Sequence, residues 1–391
     1  MKDFKDKTLL VISLYYPYKN LSYMTFVKNQ IDEVSKYFKK VIVISPLQFF
    51  PSCLTKFNIF PGLYRDLGSM KNYKYDNVEV YFPRYFTLPI NFFRNKNGDF
   101  AYKATLRCLK KNNIKFDLIH SHFTWPSGYV GVRLKEKFGK KLIVHSRENK
   151  GWLDKLIKSD KGPKIWSKAD NVVRVNKADI LLLKKYNKNS ITIYNGVDTS
   201  KFKILKSKRK IKEDLDFPLD KKIILNVGNL RQKHKNQLTL LKAVKSLRLK
   251  RKDFICILVG EGEDRTIFEN YISKHKMSSY VKLLGRMEHN SIPKIMNASD
   301  IFAFPSFFEG NPNVFFESQA CGLPYVGTDV GDVGSIIKKD TGLILEKTNS
   351  HTELCDLLNK ALNKKWNFKI ISHSVDKFDV KKQINKLLRL Y

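Results

Sequence analysis

Two carboxylates, Glu309 and Glu317, flank the segment Gly310-Asn311-Pro312-Asn313-Val314-Phe315-Phe316. Glu309 lies in a polar loop, and Glu317 lies within the apolar run that leads to Cys321. Gly322 and Pro324 then stand where a helix would be capped and stopped. An anion at the start of that helix would meet free backbone N–H groups and the positive helix end. Two carboxylates beside it would accept hydrogen bonds from sugar hydroxyls. The combination suits a ligand that is phosphate at one end and sugar at the other, although a bare pair of glutamates also fits the acid and base of glycoside hydrolysis. A second group follows an apolar run that ends at Gly228. Asn229, Arg231, Lys233 and Lys235 lie in a basic loop before a helical pattern, a place where cations would neutralise a departing anion. The third group is His120-Ser121-His122, just after Leu118-Ile119, with His145 at the end of the next apolar run. Zinc is disfavoured for the His120/His122 pair, because neither a third ligand nor a second pair accompanies it.

The elements that must position these groups are short. Leu9–Leu14, Val41–Ser45, Leu118–His120, Leu142–His145, Asp170–Val175 and Ser190–Tyr194 read as buried strands. So do Ile223–Val227, Phe254–Val259, Val281–Leu284, Ile301–Phe304, Tyr325–Val326 and Gly342–Leu345. Helical patterns such as Phe26–Phe38 and Gly131–Phe138 lie between them. Alternating buried strands and helices imply doubly wound α/β domains, with ligands outside the carboxyl ends of the strands. A chain of 391 residues suggests two such domains. The turn signal Asn195-Gly196 and the Lys-rich stretch after Lys201 mark their boundary. Residues 48–115 read as irregular, mixing aromatics with Arg65, Arg84 and Arg94, and suit either an acceptor- or membrane-facing surface or loops with partly buried rings. Asp214-Leu215-Asp216 resembles a metal-binding Asp-x-Asp but lies in the linker and reads as solvated charge.

The net charge is +36, with 37 basic against 15 acidic residues in 1–195 and 36 against 22 in the remainder. Such a surface attracts phosphates and anionic membranes, although a lysine-rich composition explains it equally well. No nucleic-acid-binding motif accompanies it. The five cysteines are widely spaced and form no metal-type pair, which fits a reducing compartment. No apolar run approaches the ~18 residues of a membrane span. Leu9–Leu14 faintly resembles a signal peptide, but no small-residue cleavage site follows, and it reads as a first strand.

Taken together, the motifs are similar to those of GT-B-fold retaining glycosyltransferases of family 4, the glycosyl transferases group 1. The resemblance rests on Pro305-Ser306-Phe307-Phe308-Glu309-Gly310, on Glu317-Ser318-Gln319-Ala320-Cys321-Gly322-Leu323-Pro324, and on Thr328-Asp329-Val330-Gly331. It also rests on Asn226 to Asn236 and on Phe116 to Gly128. By that resemblance Glu309 contacts the donor sugar, Gly310 and Asn311, Pro312, Asn313 and Val314 lie near the diphosphate, and Glu317 takes the ribose. Lys235, or Lys233 beside it, serves as the diphosphate cation. Asn229 occupies the usual Arg position, and Arg231 is its candidate substitute. His122 is the active-site histidine, and His145 a second cleft histidine. Gly228, Gly260, Gly285 and Arg286 fall in the donor-binding turns.

The resemblance implies two Rossmann-like domains facing across a cleft: an acceptor-side domain over 1–200, a nucleotide-sugar domain over 201–370, and a terminal helix over 371–391 packing back on the first domain. It implies transfer of a sugar from a nucleotide diphosphate sugar to a glycan or lipid-linked hydroxyl, with retention and with no metal or other cofactor. The expected location is the cytoplasm, peripherally on the inner face of the membrane, with no nucleic-acid partner. A nucleotide-sugar epimerase and a catalytically silent anion-binding scaffold are the rivals. Two departures stand out. Relatives often carry Gly where this chain has Met24 or Thr25, in the cleft loop after Tyr16. Relatives also often read Gly-x-Pro-Glu after Gly331, where this chain has Asp332-Val333-Gly334-Ser335.

Overall fold

Runs of four to ten residues rich in Val, Ile and Leu can bury both faces only in a parallel sheet covered by helices. The computed structural model, which describes residues 4–14, 16–18, 25–49, 70–87 and 91–391, resolves these runs into two sheets. The chain divides into two units, Met1–Tyr194 with Gln383–Tyr391, and Asn195–Lys382.

In the first unit the strands are β1 (Phe4–Ser13), β2 (Phe38–Ile44), β3 (Leu47–Phe49), β4 (Tyr73–Tyr75), β5 (Val78–Tyr81), β6 (Arg84–Phe86), β7 (Leu118–His122), β8 (Lys141–Ser146), β9 (Asn171–Arg174) and β10 (Ser190–Thr192). Eight of them form one sheet in the order β10-β9-β8-β7-β1-β2-β5-β4, and β3 pairs with β6. Among the described residues, only β4 runs antiparallel to its neighbour. Strand order reverses between β1 and β7, whose last residues, Ser13 and His122, are partners. Such a switch point opens a crevice at the carboxyl ends of the strands. The sheet is tightly packed: a Cβ on Gly131, in the helix Tyr129–Phe138, would lie 2.3 Å from Ser121 Oγ.

The second unit has β11 (Lys222–Val227), β12 (Phe254–Val259), β13 (Val281–Gly285), β14 (Ile301–Phe304), β15 (Tyr325–Thr328) and β16 (Gly342–Leu345), in the order β13-β12-β11-β14-β15-β16 and all parallel. Its switch point lies between β11 and β14. Leu240, Val244, Phe254, Phe268, Ile301 and Leu358 are among the fully buried side chains of its core.

Two readings of the sequence need correction. Residues 48–115 are not simply irregular. They supply β4, β5, β6 and the helix Asn91–Lys111. Gly98 and small or polar residues hide that helix: a Cβ on Gly98 would lie 2.7 Å from the rings of Trp125 and Tyr129. The helix expected over Phe26–Phe38 spans Thr25–Ser35, because Phe38 already begins β2. Among the described residues, no helix is long and apolar enough to cross a membrane.

Candidate active site

At the switch point of the second unit, the loops after β11 and β14 are tied together by the Phe307 amide, which donates to the His234 carbonyl at 2.8 Å. That bond places Lys235 beside Glu309, with Lys235 Nζ 2.5 Å from Glu309 Oε1. Both side chains are largely buried, and Lys235 Nζ also lies 5.1 Å from the centre of the Phe304 ring. Lys235 ends the single turn Gln232–Lys235, which Asn236 stops at φ +54°. Gly260 holds the adjoining loop close. Its amide donates to Gly285 O at 2.8 Å. With φ at +140°, a Cβ there would fall 2.0 Å from Gly228 O, so only glycine fits.

The helix Asn313–Ala320 follows Glu309 by three residues. Pro312 stands at its N-cap, and no side chain caps it. Its first amides therefore face outward with the positive end of the helix. Asn311 lies alongside, with neither amide atom partnered among the described residues although both are buried. Asn313 Oδ1 accepts from Asn195 Nδ2 at 2.8 Å. The far end closes as a Schellman motif: Leu323 N donates to Ser318 O, Gly322 N to Gln319 O, and Gly322 has φ +77°.

Glu317, one turn into the helix, accepts from His289 Nε2 at 3.0 Å. Lys201 Nζ lies 3.1 Å from His289 Nδ1. An ammonium can only donate, so His289 carries its proton on Nε2 and presents it to Glu317. Nothing local in the sequence signals Lys201 or His289, since the partners lie in separate loops.

The structure does not bring every expected residue to this pair. Arg231 turns its guanidinium to Glu263, with Nε 2.9 Å from Oε1 in an exposed pair, and so does not join Lys235. Asn229 and Lys233 are exposed beyond β11, Arg286 is exposed beyond β13, and Val314 is half-buried. Gly285 turns at φ +72°. Gly334, in the departure from the family pattern, accommodates Asp329, whose Oδ1 accepts from its amide at 2.8 Å. Asp214 and Asp216 are exposed.

In the first unit, His120 and His122 alternate onto one face of β7, and His145 is the partner of His122 on β8. The three rings stack, with centroids 4.3 Å to 5.6 Å apart, and all are buried. Burial pushes their pKa values down, and the Arg147 charge adds to it: His120 to about 3, His122 and His145 well below the ordinary histidine value. Arg147, buried beside them, donates to His122 Nδ1 at 3.1 Å and to Gln30 Oε1 at 2.5 Å. His145 is thus the third histidine that the sequence did not join to the pair. One ligand atom from each ring lies within 4.8 Å of the other two, but the rings are nearly parallel and do not converge on one point as a tetrahedral zinc site requires.

Tyr16 needs correction as a cleft residue. Its ring is buried in the core, and its hydroxyl pairs at 2.8 Å with that of Tyr75, which donates to Asp32. Thr25 is exposed at the first position of its helix, and Met24 lies outside the described residues.

Residues 207–375 match the glycosyl transferases group 1 family, and residues 65–201 match Glycosyltransferase Family 4. An uncharacterized glycosyltransferase of Methanocaldococcus jannaschii is 30% identical over 272 residues, 67% of this chain and 68% of its own length. The Escherichia coli UDP-Gal:alpha-D-GlcNAc-diphosphoundecaprenol alpha-1,3-galactosyltransferase is 25% identical over 84% of this chain and 87% of its own. Among solved structures, sucrose-phosphate synthase from Thermosynechococcus elongatus superposes with a TM-score of 0.76 at 16% identity, covering 98% of each chain. Anabaena HepE in complex with UDP gives 0.73, also at 16% identity and 98% of each chain. With its two doubly wound sheets, the chain belongs to the glycosyl transferases group 1 family and is a glycosyltransferase of GT-B fold.

Proposed function

We propose that this enzyme transfers a sugar from a nucleoside diphosphate sugar to a hydroxyl of a glycan or lipid-linked acceptor, with retention at the anomeric carbon. The observation that carries the reading is the Lys235–Glu309 pair at the β11/β14 switch point, beside an uncapped helix N-terminus and the unpartnered Asn311 amide. Without ligand, cation and carboxylate neutralise each other. Donor binding exchanges that contact for two others: Lys235 with the diphosphate, and Glu309 with sugar hydroxyls. The amides at Asn313 and Val314 hold phosphate oxygens, and Glu317, oriented by His289, accepts from the ribose.

In the reaction the bond between the anomeric carbon and the phosphate oxygen breaks. The acceptor oxygen bonds to the same face of the sugar, and its proton passes to the departing phosphate oxygen. Lys235 stabilises the charge that develops on the diphosphate, so its neutralisation requires no metal. His122 is neutral at pH 7 and far too weak a base to collect the proton, so its assigned role is to donate a hydrogen bond. The E. coli relative, whose acceptor is a diphosphoundecaprenol-linked sugar, supports a lipid-linked acceptor. The +36 charge supports peripheral binding to an anionic membrane face. The structure of HepE with UDP supports a nucleotide donor.

The test is a thermal-shift panel of UDP-, GDP- and ADP-sugars, followed by proton NMR of the product's anomeric centre. Stabilisation by one donor and a product of unchanged anomeric configuration are expected. An inverted product refutes retention. A free epimerised sugar nucleotide favours the epimerase, and no binding to any donor favours the scaffold.

A further inference from the structure

The crevice at the carboxyl ends of β1, β7 and β8 holds three buried imidazoles whose Nδ1 atoms are all engaged and whose Nε2 atoms are all without a partner among the described residues. Arg147 Nε lies 3.1 Å from His122 Nδ1, and Arg147 Nη2 lies 3.3 Å from His145 Nδ1. A guanidinium has donors and no acceptor. Both Nδ1 atoms must therefore accept, and each neutral ring carries its proton on Nε2. The Tyr391 hydroxyl lies 2.6 Å from His120 Nδ1. Donation by Tyr391 satisfies both groups, whereas the reverse would bury its hydroxyl hydrogen without an acceptor. Burial keeps that phenol protonated.

We propose that Arg147 and Tyr391 are positioning residues that fix His120, His122 and His145 as Nε2–H tautomers. The crevice thereby presents N–H donors to an oxygen ligand, whether water, a sugar hydroxyl or a phosphate oxygen, and rejects metal cations. A metal needs the Nε2 lone pair, and that position is occupied by hydrogen. The buried guanidinium biases the crevice further toward electron-rich oxygen. Arg147 is itself held in place, because Gln30 Oε1 accepts from its Nη2 at 2.5 Å. The backbone around it is fixed by Arg174, which is buried against Asp179 and donates to the carbonyls of Ser146 and Glu148. Tyr391 is anchored by ring contacts to Phe4 and Phe38. These partners are 117 and 271 residues apart in sequence.

The test is nitrogen–proton correlation NMR of the full-length chain with ¹⁵N-labelled histidine rings. In the wild type, all three rings should show a protonated Nε2 and a bare Nδ1 across neutral pH. Arg147→Met should let His122 and His145 populate the other tautomer, and Tyr391→Phe should do so for His120 alone. Arg147→Lys, whose donors all sit on one nitrogen and lack the fork that spans both rings, should restore one ring. The kinetic arm rests on the proposed transfer reaction: Arg147→Met should lower kcat about 10–100-fold while the donor KM stays within about twofold. An Nδ1–H signal from His122 or His145 in the wild type overturns the proposal. So does retention of one zinc ion per chain after incubation with zinc sulfate and desalting. Unchanged kcat in a variant whose tautomers have shifted refutes the positioning role. If Arg147→Met does not fold, the wild-type spectrum alone decides. If the tautomers are as stated but no nucleoside diphosphate sugar is turned over, the failure lies with the transfer reading and not with the tautomers.

Discussion

Lowering the pH from about 7 to about 5.5 should destabilise the first unit through its buried histidines. Each of the three rings is kept neutral by burial, and Arg147 and, at His145, Arg174 add to it. Glu148, which is hydrogen-bonded to Ser146 and to the Thr124 amide, is the opposing charge nearby, and Tyr391 stays neutral. In the unfolded chain each ring titrates near about 6.5. Below that pH the unfolded state binds protons that the folded state refuses, so stability falls as pH falls. Between pH 7 and 5.5 the loss is slightly over 1 kcal/mol per ring, or about 4 kcal/mol for three rings. Below that it steepens to about 1.4 kcal/mol per ring per pH unit, until the folded rings themselves accept protons. Unpaired carboxylates titrate lower, near about 4, and leave this window clear. Urea melts of a Trp366→Phe background followed by tryptophan fluorescence report on it, because the other three tryptophans, Trp125, Trp152 and Trp166, lie in the first unit. His145→Asn should remove about a third of the pH dependence. A midpoint that does not move between pH 7 and 5.5 would refute the reasoning, because the rings would then have to titrate normally inside the fold.

Other outcomes follow from the second unit and from the charge. Glu309→Gln frees Lys235 from its partner. It should tighten binding of the nucleoside diphosphate product by roughly fivefold and reduce turnover at least about a hundredfold; parallel product titrations and rate assays check this. Gly260→Ala places a Cβ 2.0 Å from Gly228 O at φ +140°. It should cost at least about 3 kcal/mol, read as a lowered Tm together with weakened donor binding. Retention on vesicles containing anionic lipid should fall steeply as salt is raised toward about 1 M, where the Debye length is roughly 3 Å. Salt-insensitive retention in a sedimentation assay would remove the electrostatic argument.

Most of the two large sheets was legible because their central strands are continuous aliphatic runs between turn residues, whereas the short β4 and β6, Tyr-Lys-Tyr and Arg-Tyr-Phe, carry no such run. Phe254–Val259, Ile301–Phe304 and Gly342–Leu345 coincide with the runs read from sequence. The helix after Glu309 was legible from the apolar run that leads to Cys321 and from Gly322 and Pro324 at its end. The helix Asn91–Lys111 was not, since its packing face mixes Gly98, Ala101, Ala104 and Thr105 with Tyr102 and Leu109, and the small residues dilute the hydrophobic signal. Local motifs placed Lys235 and Glu309 on adjoining loops, but the salt bridge between them depends on the Phe307–His234 backbone bond. Charge alone also could not assign Arg231, because Glu263, which claims it, lies 32 positions away. His122 and His145 could be nominated from their strands. Arg147 follows His145 by two residues, yet its role depends on a fork across two strands. Tyr391 reaches His120 only because the last residues return to the first unit.

The central claim is that Lys235, Glu309 and the amides at Asn313 and Val314 hold the diphosphate end of a sugar donor. Isothermal titration of the donor selected by the thermal-shift panel into wild type and Lys235→Ala tests it most directly. Loss of a charge-assisted contact of about 1.5–3 kcal/mol should weaken binding about 10–100-fold, in a variant shown by circular dichroism to be folded at the titration temperature. Equal affinity in the two proteins would contradict the account and place the donor elsewhere.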